Sequence, residues 1–147
     1  MSIPRTALCI TYGLVALVAL IGTWGNNLDY FGSGFVETNL MFWRDTLATP
    51  ASRSITVDIL FLGVAVAVWM LLEARRLNMR GAWLYIVFGL LIAISVTVPL
   101  FLIHRERVLA KADASSPAGR LTALDVIGLV ILGAAATLYT NTTLTGL

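Results

Sequence analysis

Charged residues, cysteine and histidine are all scarce in this chain. Only 12% of its 147 residues are charged and 59% are apolar, whereas a soluble domain carries about 25% charged residues. A domain of this size with so few charges cannot clothe its outer surface for water. That excludes a secreted disulfide scaffold, a nucleic-acid-binding domain and a cytosolic dinucleotide enzyme. The single cysteine, Cys9, can form no internal disulfide, and the single histidine, His104, supplies neither a zinc site nor a bis-histidine haem site within the chain. No cofactor and no metal centre is expected. The net charge of +2 argues for no acidic partner and no nucleic acid. The solvent that suits this composition is a bilayer, so membrane lipids are the first expected partner.

Long apolar runs are what the chain has in quantity. A hydrocarbon core of about 30 Å needs roughly 20 apolar residues in a helix, and four runs reach that length, over about 7–24, 54–72, 81–103 and 121–140. The first follows Arg5 and is read as a retained helix, because it is longer than a secretory signal core and no small-residue cleavage site follows it. The eight-residue connection Glu73 to Arg80 makes the second and third spans antiparallel neighbours. Ser115-Ser116-Pro117-Ala118-Gly119 reads as a flexible break before the fourth.

Between the first two spans, Phe31-Gly32-Ser33-Gly34 reads as a turn. Val36, Leu40, Trp43 and Leu47 then share one face of a helix over about 35–47, with Glu37, Asn39, Arg44 and Asp45 left for the wet side. That pattern predicts a helix lying flat at the membrane surface. Trp24, Trp43, Trp69 and Trp83 fall where interfacial anchors belong. The expected fold is all-α: one transmembrane domain over 1–147, an integral membrane four-helix bundle with an amphipathic interfacial helix between helices 1 and 2. On four spans, Arg5, Arg75, Arg76 and Arg80 share one face. Arg44, Arg53, Arg105, Arg107, Lys111 and Arg120 share the other, so four basic residues against six leave the orientation open.

Ionisable residues inside a span are costly and draw attention first. Asp58 lies in the second run and Asp125 near the start of the fourth; Glu73, fifteen residues and about 22 Å beyond Asp58, belongs to the opposite face. Four spans would bring Asp58, Asp125, His104, Arg105 and Arg107 to one face at similar depth, as a candidate ligand- or partner-binding cluster. The competing reading is structural: Thr122-x-x-Asp125 has the spacing of a capping box, and His104 beside arginines suits an interface. Ser95, Thr97 and Pro99 join the candidates, because Pro99 deprives the Ser95 carbonyl of its helical partner and predicts a kink. Gly128, Gly133 and Ala136 form a small-residue face for helix packing, within the bundle or against another subunit.

Several segments together are similar to a known group. They are Asp58-Ile59-Leu60, Val68-Trp69-Met70, Glu73-Ala74-Arg75-Arg76-Leu77, Pro99-Leu100-Phe101-Leu102 and Arg105-Glu106-Arg107. They resemble an uncharacterised bacterial family of short multi-pass membrane proteins, a domain of unknown function, over roughly residues 25–109. The resemblance implies a helical fold in a bacterial plasma membrane and brings no activity. The fourth helix is an addition to the commonest layout of that family.

Three functional readings follow. The first is a non-catalytic accessory or scaffold subunit of a larger membrane complex, or a lipid-binding protein, with a protein partner or a second copy of the chain. The second is an intramembrane acid-catalysed enzyme on an isoprenoid or lipid, using Asp58 with Asp125 or Glu37. The third, a small transporter or channel subunit, has the least support, since no internal repeat marks a pathway.

Overall fold

A computed structural model describes residues 2–32, 34–112 and 119–145. Among them are six helices: α1 (Arg5–Asn27), α2 (Phe35–Asp45), α3 (Pro50–Arg76), α4 (Ala82–Leu91), α5 (Ile94–Ala112) and α6 (Ala123–Thr145). Two short strands, β1 (Ser2–Ile3) and β2 (Gly119–Arg120), pair antiparallel. Three segments are long and apolar enough to cross a membrane: Arg5–Tyr30, Pro50–Arg76 and Ala123–Thr145.

The third apolar run does not form a crossing. The chain leaves helical geometry at Ile92–Ala93 and reverses, so α4 and α5 are the two arms of a helical hairpin. Tyr85 of α4 stacks edge-on against Phe101 of α5 at 5.6 Å, and its hydroxyl lies 3.2 Å from His104 Nδ1. Nearer the tip, a Cβ on Gly89 would stand 2.8 Å from Thr97 Oγ1. Only a residue without a side chain lets the two arms approach so closely there. The expected kink at Pro99 is displaced: Pro99 is buried in the second turn of α5, and the reversal lies upstream of it. In place of the four expected spans, the described residues hold three helices long and apolar enough to cross a membrane, and a helical hairpin. An arm of ten residues rises about 15 Å, half the hydrocarbon thickness. Irregular backbone at that depth is tolerated only where protein or a cavity surrounds it.

Local chemistry sets the helix ends. Thr49 opens α3 with a reciprocal capping box: its Oγ1 accepts from Ser52 N–H at 3.1 Å and its own N–H donates to Ser52 Oγ at 3.1 Å, with Pro50 at the first helical position. We expect Thr49→Ala to cost about 1 kcal/mol, read as a small fall in melting temperature in mild detergent. At the other end Asn78 takes a left-handed φ of 52°, Met79 N–H donates to Ala74 C=O at 2.8 Å and Asn78 N–H to Arg75 C=O at 3.2 Å. This is a Schellman stop, and it turns the chain into α4 through Gly81.

A helix is found where one was expected over 35–47: α2, Phe35–Asp45. Tyr30 Oη donates to Asp45 Oδ2 at 2.8 Å and Thr38 Oγ1 to the Tyr30 carbonyl at 2.8 Å, which ties α2 to the end of α1. Of the two predicted loop features, Ser33 of the first turn and residues 115–118 of the later break lie outside the described residues.

Contacts along the helices fix their directions. Thr140 and Leu144 of α6 sit against Gly22 and Gly25 of α1, and Asn26 Nδ2 donates to Thr143 Oγ1 at 3.2 Å. With β1 and β2 joining their opposite ends, α1 and α6 run parallel. The core, Met70, Ala74, Ala82 and Phe101, lies where the hairpin meets the C-terminal half of α3.

Candidate functional site

Two sites emerge, one at each end of the bundle. At the end holding the amino terminus, five charged side chains interlock. Glu106, 2% exposed, accepts from Arg5 at 2.6 Å and from Arg105 at 2.5 Å; Arg105 also donates to Glu73 at 2.6 Å, and Arg76 grips both oxygens of Glu73 at 2.7 Å. Three elements are bound by these contacts: the start of α1, the end of α3 and the middle of α5. Glu73 and Arg105, expected on opposite membrane faces, touch. The hairpin brings α5 back to the side it left, and that return makes the difference. Each carboxylate is held by two guanidinium groups, an arrangement in which burial is compensated.

The hairpin has a second consequence. Gly63 of α3 is level with its tip, since a Cβ there would meet Ile94 at 3.2 Å. From Pro50 to Gly63, about 19 Å of helix, α3 has no hairpin beside it. Between this stretch, the second half of α1 and the end of α6 lies a cavity of about 1490 Å³, larger than the roughly 300–1,000 Å³ of an ordinary small-molecule site. The hairpin tip, including Ile92, Ala93 and Thr97, borders it below, its wall continues past the tip along α3 and α4 as far as Met70 and Tyr85, and its roof is α2 through Thr38, Phe42 and Trp43. The walls are mostly aliphatic. Among the described residues, no Asp, Glu, Lys, Arg or His lines it. On two of the lining residues, Trp24 Nε1 and Thr97 Oγ1 are buried without a hydrogen-bond partner among the described residues, and Thr97 as a whole is only 4% exposed. Buried polar atoms left unpaired are uncommon, and Thr97 Oγ1 faces Gly89 across the two arms of the hairpin.

The residues singled out from sequence are distributed differently from expectation. Asp58 is exposed, lies beyond the hairpin tip on the α2 half of the bundle, and is not part of the cavity wall. Asp125 is at the other end, where its Oδ2 accepts from Thr122 N–H and Oγ1 at 2.7 Å each and its own N–H donates to Thr122 Oγ1 at 3.2 Å, a capping box at the start of α6. The polar cluster of Asp58 with Asp125, His104, Arg105 and Arg107 is therefore not assembled, again because α5 turns back. His104 faces Tyr85, Arg105 joins the ion network, and Arg107 is exposed. Glu37 is exposed on α2 and also outside the cavity wall. Ser95 and Thr97 both reach the wall; Pro99 is buried in α5.

Trp24 and Trp43 line the cavity, Trp69 meets Phe101 edge to face at 5.7 Å, and Trp83 is exposed at the start of α4. Gly133 and Ala136 line the cavity, while a Cβ on Gly128 would meet nothing within 4 Å. The close approach to α6 is made instead by Gly22 and Gly25 of α1, a pair with helical spacing that sequence reasoning passed over. It also missed Glu106, whose signal was a lone acid between Arg105 and Arg107.

A family model described as "Protein of unknown function DUF2834" matches residues 11–107, well over half of the chain. The chain belongs to this family. The DUF2834 region holds most of α1, all of α2 and α3, the hairpin and four of the five interlocked charges; Arg5 and α6 lie outside it. The segments Glu73-Ala74-Arg75-Arg76 and Arg105-Glu106-Arg107, read from sequence as two membrane-edge flanks, supply those four charges. No curated protein and no solved structure matches the chain.

Proposed function

We propose that this DUF2834 protein is a non-catalytic membrane protein that holds a lipid hydrocarbon chain in the cavity between α1, α3 and α6. The observation that carries this reading is the cavity itself: about 1490 Å³, walled mostly by aliphatic and aromatic side chains, with no charged group among the described residues that line it. Hydrocarbon fills such a space at no cost in buried charge. The acid-catalysed alternative lacks its chemistry, because it needs a carboxyl pair in the pocket and Asp58, Asp125 and Glu37 all lie off its wall.

The test is chemical. Protein purified in mild detergent is extracted with organic solvent and its lipid counted by mass spectrometry. The wild type should carry lipid in fixed proportion to protein, and Ala67→Trp and Ala136→Trp, which fill the cavity from α3 and α6, should lose most of it while still folding. Equal lipid in all three, or none in the wild type, refutes the reading.

A further inference from the structure

The cavity's place across the bilayer follows from where the basic residues stand along the chain. At the end of the bundle that carries the ion network are Arg5, the short turn's Arg75, Arg76 and Arg80, α5's Arg105, Arg107 and Lys111, and Arg120 of β2. At the other end, beside Tyr30 and α2, are Arg44 and Arg53 alone. The ten basic residues of the chain thus divide eight against two. Short connections rich in Lys and Arg stay in the cytoplasm, so the ion network faces inward and α2 outward. With three crossings in place of four, the two ends of the described chain lie on opposite sides.

Most of the cavity lies in the basic-poor half, and its wall runs past the hairpin tip to Met70 and Tyr85. Below it the hairpin, its core around Phe101 and the ion network close the bundle towards the cytoplasm. Its upper rim is polar but uncharged, with Asn26, Asn27, Tyr30, Asn39 and Ser52 at the level of α2. A phosphate drawn inside would find no cation, whereas hydrocarbon would be matched along the whole wall.

We propose that the cavity is loaded from the extracytoplasmic leaflet, taking up the acyl chain of a phospholipid whose charged headgroup stays outside at the level of α2. This rests on the lipid-holding reading above and adds the leaflet and the part of the lipid that enters. The first measurement is of topology alone. In a Cys9→Ser background, Ala48→Cys, between α2 and α3, should react with a membrane-impermeant maleimide in intact cells, and Ala112→Cys, at the end of α5, should react only after lysis. The second uses phosphatidylcholine carrying a diazirine in one acyl chain, supplied to right-side-out or to inverted membrane vesicles. Photolabelling of the cavity segments of α3 and α6 is expected from right-side-out vesicles, with loss of the signal from inverted vesicles and in Ala67→Trp. The reversed maleimide pattern, or labelling that favours inverted vesicles, overturns the leaflet assignment and leaves lipid holding intact. Absence of labelling from both sides overturns the two together.

Discussion

Glu106→Ala should be the most destabilising single substitution in the ion network, lowering stability by about 3 kcal/mol, the lower end of the range for breaking a buried pair. The carboxylate is almost fully buried and is shared by Arg5 and Arg105, which are themselves only 16% and 26% exposed. Removing it leaves guanidinium charge facing a site that can no longer neutralise it. Arg105 retains Glu73 at 2.6 Å, which is why the lower end of the range applies. Arg76→Ala is the control: its side chain is 60% exposed, water solvates it well, and the melting temperature should barely move. Thermal unfolding in mild detergent measures both. Similar melting of Glu106→Ala and wild type, or an equal fall for Arg76→Ala, would show that the network does not hold the three elements together.

Widening Gly89 should pry the hairpin apart. The added methyl of Gly89→Ala would stand 2.8 Å from Thr97 Oγ1, inside van der Waals contact, with the Ile94 backbone behind it at 3.8 Å. Forced overpacking of this kind costs about 1–3 kcal/mol, and Gly89→Leu should exceed Gly89→Ala. A compensating change separates this cause from a general intolerance of substitution. Thr97→Ala removes the atoms in the way, so Gly89→Ala with Thr97→Ala should recover much of the stability lost by Gly89→Ala alone, a coupling that a double-mutant cycle reads directly. Additive losses would place Gly89 away from the arm contact.

Much of the fold is legible from residue order because hydropathy and capping act over short distances. The apolar stretches that became α1, α3 and α6 declare themselves by length, α2 by the spacing of Val36, Leu40 and Trp43, and the start of α6 by Thr122 and Asp125. The run from Gly81 to Ile103 is different. Its residues are as apolar as those of a crossing helix, and oil content alone has no term for direction. What turns it back is a set of contacts between residues far apart in the chain: Tyr85 with Phe101, Gly89 with Thr97, and Glu73 with Arg105. The evenly divided basic residues of the four-span reading were a symptom of the missing reversal, since moving α5 and its neighbours to the other side changes four against six into eight against two.

The cavity was hidden for the same reason. It exists because one hairpin stops halfway, and no residue on its wall is unusual in itself; leucines, glycines and threonines line it as they line any span. Sequence alone determined the solvent of this protein, the number of its apolar stretches and the helix that lies across their ends, all properties set within a few turns of chain. Tertiary structure decided which stretch doubles back, which charges meet and where space remains between helices. These depend on the close approach of distant segments, and in lipid, where oil meets oil with little preference, steric fit and charge pairing decide that approach.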